Sequence, residues 1–235
     1  MKAFLLILAW VGLAQDMFGA DRPAAHGTRD LLGWTVKVDS RLLEGPEAAK
    51  GAAALALLRS RLADILIVLP ATKSAHLKRV PIWLDLNHGT LSNMQYHPSA
   101  DWLRENGFPP EMEKAVHIPD VNLFLAPRHQ QTQPWCVLHE LAHAYHDRVL
   151  GFDEPRVKAG WEKYVASGNG VMVLHVSGRH MPHYAMTNHK EFFAEMTESY
   201  FGVNDFVPYV HGHLKHEEPE VFKLMREIWG PSVLE

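Results

Sequence analysis

The chain is predicted to be an α+β protein, and three observations lead to that class. Period-two alternation is concentrated in the first half, as in GWTVKVDSRLL at 33–43, whereas the best-capped helical patterns lie after residue 130. The 235 residues, 47% of them hydrophobic and 21% charged, suffice for one well-buried core. Neither an internal repeat nor a low-complexity linker divides them, so residues 21–235 are expected to form a single domain.

The opening MKAFLLILAWVGLAQDMFGAD places Lys2 before an unbroken apolar run from Ala3 to Ala14, followed by small residues. That is the layout of a secretory signal over residues 1–20, with cleavage after Ala14 or Ala20. The run is too short for the about 20 apolar residues that cross a bilayer. The mature chain is expected to be secreted or periplasmic, with no membrane span.

Strands are expected at 33–43 and at VPIWLDLN (80–87), and a helix at PEAAKGAAALALLRSRLADI (46–65), which is rich in Ala and Leu. Ser99 can cap a short helix in SADWLREN. VHIPDVNLFLAP (116–127) reads as a strand whose Pro119 argues for a sheet edge or a bulge, and it is the candidate strand for pairing with an extended peptide. The clearest helix is TQPWCVLHELAHAYHDRVLG (132–151), with Thr132 as cap, Pro134 in the first turn and Gly151 as stop. NHKEFFAEMTESYFG (188–202) is another, capped by Asn188 and closed by Gly202, and EPEVFKLMREIWG (218–230) is the last.

A net charge of −4 and a pI near 6.5 leave no basic field for nucleic acid or anionic lipid. The single cysteine, Cys136, excludes an internal disulfide framework. Stability then rests on packing, with or without a metal.

Chemistry is concentrated in VLHELAHAYHD (137–147). On a helix, Leu138, Leu141, Ala142, Tyr145 and Val149 form an apolar stripe, while His139, His143 and His146 fall on another face. His139 and His143, one turn apart, can aim ring nitrogens at one ion, with Glu140 beside it, which is the HExxH arrangement. The composition predicts only about 0.07 chance occurrences of that pattern.

Two histidines do not hold a catalytic zinc, so a third ligand is required. A metzincin-type extension fails, because His146 stands where its glycine belongs and Val149 where its third histidine belongs. His146 reads instead as a surface residue or a support to a ligand, and Cys136 as a buried thiol. The second helix offers Glu191, Glu195 and Glu198 on one side. Glu191 also suits a capping box with Asn188 ahead of a solvated acidic edge, but beside an HExxH helix a carboxylate ligand is the favoured reading.

HELAH followed by HYAMTNHKEFFAE resembles the zinc peptidase domain of the anthrax lethal factor-like family, whose relatives include secreted Pro-Pro endopeptidases. In that family a tyrosine precedes the ligand glutamate by seven residues, as Tyr184 precedes Glu191 here. The match covers little more than 137–147 and 183–202. It implies a zincin-like, gluzincin-type fold: a small sheet whose edge strand runs beside the active-site helix, and a C-terminal helical part. It also implies one zinc ion per chain on His139, His143 and Glu191, with Glu195 orienting a ligand and Tyr184 donating to the oxyanion. His183 competes with Tyr184 for that oxyanion or substrate contact.

The function expected is a zinc metalloendopeptidase that hydrolyses a peptide or protein substrate as a monomer, in which Glu140 takes a proton from a zinc-activated water. Two alternatives stand beside it: a non-catalytic peptidase-like domain that binds zinc or peptide, and a zinc hydrolase of a non-peptide amide in the cell envelope. An intact Glu140 argues against the first, because a structural zinc site has no use for a base.

Overall fold

In the computed structural model, which describes residues 22–89 and 91–234, the chain is a mixed α+β structure. The expected leader at 1–20 lies outside the described residues. The first strands are β1 (His26–Leu31) and β2 (Trp34–Asp39), an antiparallel hairpin. Strand β2 buries Trp34, Val36 and Val38 on one face, as its alternation predicts. The predicted strand at 33–43 stops early because the Asp39 carboxylate caps a 3-10 turn, Ser40–Leu42.

Helix α1 (Ala48–Val68) buries Ala54, Leu58, Leu62 and Ile65, one per turn. Its Gly51 touches that 3-10 turn so closely that an added Cβ would lie 1.9 Å from the Leu42 carbonyl oxygen. Pro70 separates it from α2 (Ala71–Leu77). Strand β3 (Ile82–Leu84) follows, then β4 (Gln95–Tyr96), α3 (Ala100–Glu105) and β5 (Val116–Ile118). Ser99 caps α3 through its hydroxyl, as expected.

The sheet order is β1-β2-β3-β5-β4, with β2, β3 and β5 parallel and β4 antiparallel to β5. This corrects the expectation for 116–127. Only Val116–Ile118 is strand, and it lies inside the sheet, so the edge beside the clearest helix is β4. The chain leaves β5 because Pro119 cannot donate to a ladder and Asp120 caps α4 (Val121–Leu125), accepting from the Asn122 N–H at 2.8 Å.

The predicted helix at 132–151 is also divided. Thr132 ends α5 (Pro127–Thr132), Pro134 lies in the link, and α6 (Cys136–Tyr145) starts after Trp135. A π-helical turn, His146–Leu150, closes it, and Gly151 stops it at φ +82°. Helix α7 (Pro155–Ser167), which the periodicity did not reveal, leads to the short hairpin β6 (Val173–Leu174) and β7 (His180–Met181). The C-terminal part is α8 (His189–Phe201), α9 (His211–Glu217) and α10 (Pro219–Trp229).

Helix α8 lies between α6, α7 and α10, with every residue from Phe192 to Phe201 buried. Phe193 stacks on Trp229, and the Trp229 indole N–H donates to the Thr197 hydroxyl at 3.0 Å. Among the described residues no helix is long and apolar enough to cross a membrane.

Candidate metal centre

Helices α6 and α8 face each other across the site. Leu138, Leu141, Ala142 and Tyr145 are buried, as the stripe requires, but Val149, in the π-helical turn, is exposed, which corrects its place in the stripe. His146 departs from its expected face. It is wholly buried against Phe152, Phe193 and His189, neither ring nitrogen has a hydrogen-bond partner among the described residues, and burial holds its pKa down to about 3. The π-helical turn that begins at His146 takes the chain out of the α-helical rotation on which the face assignment rested.

His139 Nε2, His143 Nε2 and Glu191 Oε2 converge. The two nitrogens are 3.1 Å apart, and Glu191 Oε2 lies 3.3 Å from His139 and 3.2 Å from His143. The outer nitrogen of His139, Nδ1, donates to Glu198 Oε1 at 2.7 Å. In its neutral form, with the proton there, His139 presents a lone pair to two other acceptor atoms. Three acceptors facing one another repel unless a cation or a shared proton lies among them. Ligand atoms 2.0–2.1 Å from a tetrahedral ion stand about 3.3 Å apart, so the spacing fits a metal.

The helix-capping alternative for Glu191 divides in two. Asn188 does cap α8, accepting from the Lys190 and Glu191 N–H groups at 2.9 and 3.1 Å. The Glu191 carboxylate nevertheless turns to His139 and His143, and Glu195 and Glu198 are buried, so this is no solvated acidic edge. Burial raises the Glu191 pKa, but the bonds from His139 and His143 outweigh it and hold the carboxyl below its ordinary range. Burial lowers His139, and Glu191 and Glu198 more than offset this, so that it ends well above the ordinary histidine value.

No protein-family model, curated protein or solved structure matches this chain. The converging side chains of α6 and α8 line a cleft of about 550 Å³ bounded by residues 93–96, by α6 and by the start of α8. Glu140 lies in its wall, and its Oε2 accepts the Tyr96 N–H of edge strand β4 at 2.7 Å. The Tyr96 hydroxyl donates to Asp147, which also meets Lys114 at 2.6 Å, so β4 is pinned to the α6 segment at both ends of one residue. Burial raises the Glu140 pKa. Cys136 also lines the cleft, but burial pushes its thiol up to about 12, which leaves it inert.

Tyr184 is half exposed at the cleft, and burial and the Glu191 charge raise its pKa, so it remains a donor. His183 is not in a position to touch substrate. It is buried, stacks on Phe206, and its Nδ1 accepts the Ala185 N–H at 3.1 Å. Glu195 is likewise corrected as the support of His139. Its Oε1 stands 3.5 Å from Nδ1, and its other oxygen accepts from Asn204 at 2.9 Å, whereas Glu198 makes the short bond. Glu198 was visible in the spacing at two helical turns from Glu191. The choice between Glu195 and Glu198 depends on side-chain packing between α6 and α8, which spacing does not carry.

Proposed function

We propose that the chain is a secreted zinc metallopeptidase of the anthrax lethal factor-like kind, with a zincin-like fold. The observation that carries the reading is the meeting of three lone-pair donors, from His139, His143 and Glu191, at 3.1–3.3 Å on the wall of an open cleft. Two imidazoles and a carboxylate with one side left free are the donors of a hydrolytic zinc site rather than of a closed structural one. Zinc, when bound, supplies Lewis acidity that brings the pKa of water to about 7.

The remaining steps belong to the chain. Glu140 Oε1 is free to take the proton of the attacking water while Oε2 is held by β4, and a carboxyl raised by burial is the better base near neutrality. Glu140 then returns the proton to the leaving amine nitrogen as the C–N bond breaks. The Tyr184 phenol donates to the oxyanion that develops on the scissile carbonyl. A substrate in extended form can add to the β4 edge by backbone hydrogen bonds, which places its carbonyl beside Glu140.

The test is Glu140→Gln assayed on a mixed peptide library, with zinc content measured on the same samples. Peptide hydrolysis is expected to fall about 10²–10⁴-fold with zinc retained. Unchanged hydrolysis would overturn the reading, and hydrolysis confined to cell-wall oligomers would move the substrate to a non-peptide amide.

A further inference from the structure

A second group of metal-ligating side chains lies behind the edge strand and outside the cleft. Asp85, at the end of β3, is fully buried, as is His117 on β5, and His88 is nearly so. Asp85 Oδ2 lies 2.6 Å from His88 Nδ1 and 2.8 Å from His117 Nε2, and the three offer donor atoms within 4.8 Å of one another. Each of two ligands is held from outside. His26 Nε2 fixes the other Asp85 oxygen, Oδ1, at 2.7 Å, and His97 Nε2 meets His117 Nδ1 at 3.2 Å. Such outer bonds orient a carboxylate and set an imidazole's tautomer for a metal. His88 Nε2 is buried with no hydrogen-bond partner among the described residues, so that ring's polar capacity is not exhausted by hydrogen bonding there.

We propose that Asp85, His88 and His117 form a second divalent transition-metal site, weaker than the cleft site, which ties the loop after β3 to the strand beneath β4. Two imidazoles and a carboxylate in a buried setting suit zinc or a neighbouring transition ion rather than calcium or magnesium. The weakness follows from the distances. At 2.6–2.8 Å the atoms already satisfy one another as hydrogen bonds, and they must spread to about 3.3 Å to surround an ion. The cleft donors, at 3.1–3.3 Å, need no such change and fill first. When the second ion binds, His88 and His117 each move a proton to the outer ring nitrogen or arrive with it there, and Asp85 stays ionised.

The location gives the ion a consequence. His117 is paired in register with Gln95, the residue before Tyr96, whose N–H holds Glu140. An ion on His117 therefore stiffens the strand pair that supports the cleft, without touching the cleft itself.

The test is the Zn²⁺ content of the full chain after dialysis at a series of free Zn²⁺ concentrations, for the wild type, Glu191→Ala, His88→Ala and the double variant. Expected are two ions in the wild type, taken up in two steps, one in each single variant, and none in the double. Glu191→Ala leaves the Asp85 group intact, so it decides the matter even if His88→Ala fails to fold. One ion in the wild type that is lost in Glu191→Ala overturns this proposal, leaving a hydrogen-bonded network only, and keeps the peptidase reading. One ion retained in Glu191→Ala and lost in His88→Ala keeps this proposal and sinks the cleft site.

Discussion

In the cleft, His139, His143 and Glu191 face one another at 3.1–3.3 Å, whereas behind β4 Asp85 meets His26, His88 and His117 at 2.6–2.8 Å. The two groups use the same residue types and are built in opposite senses. In the first, Glu198 bonds the outer nitrogen of His139, and the packing of α6 against α8 brings the inner nitrogens and Glu191 to the spacing of metal ligands. In the second, the carboxylate sits at the centre and the imidazoles donate around it. A group spaced for an ion marks the tighter binding site, and a group that already satisfies itself marks a structural tie that must spread before it can hold one.

This contrast predicts that substitutions in the cleft cost activity and that substitutions around Asp85 cost stability. After Glu140→Gln, the largest effect should come from Tyr184→Phe, which removes the proposed oxyanion donor: kcat for peptide hydrolysis is expected to fall about 10²–10³-fold with the thermal midpoint unchanged. Equal loss of kcat and stability would make the tyrosine a packing residue. Asp85→Ala should have the reverse profile. It strands the buried N–H groups of His88 and His117 and the partly buried one of His26, and should cost roughly 3 kcal/mol in denaturant unfolding. A loss under about 1 kcal/mol would show that the network is solvated or dispensable.

Smaller effects sharpen the same line. Glu198→Gln keeps an acceptor for His139 but removes its charge, and zinc affinity at the cleft should weaken about tenfold, read by competition with a chelator. Glu195→Gln should change it less. In metal-free protein, His143→Ala removes one of the two imidazoles beside Glu191 and is expected to change stability by no more than about 1 kcal/mol. Marked destabilisation would mean that the cleft donors hold each other rather than a ligand.

Acid lability supplies the smallest test. Burial holds His146 and His183 at about 3 in the folded chain, well below the ordinary histidine value of about 6.5. The unfolded chain therefore binds two more protons through the range between those values, and stability falls as pH drops below about 6.5. His146→Phe should flatten that slope in urea titrations at several pH values. An unchanged slope would place the titration elsewhere.

Much of the framework was legible because its signals are local. The α1 stripe, the Ser99 and Asn188 caps and the Gly151 stop each depend on residues within a turn of one another. His139, Glu140 and His143 were legible for the same reason. What could not be read depends on contacts distant in sequence. VHIPDVNLFLAP is apolar enough for a strand, and only the cap at Asp120 shows where the strand ends. Strand β4 has two residues and no pattern of its own, and its place at the edge comes from pairing with β5 and from the Tyr96 bond to Glu140. The Asp85 group draws on β1, β3 and β5, and no spacing in the chain announces it.

X-ray absorption at the zinc edge, on full chain carrying a single equivalent of zinc, tests the central claim most directly. A four-coordinate nitrogen and oxygen shell at about 2.0–2.1 Å, with imidazole scattering that diminishes in His143→Ala, is the expected result. A spectrum of hydrated zinc, or one indifferent to His143→Ala and Glu191→Ala, would contradict the assignment of the cleft as the metal centre.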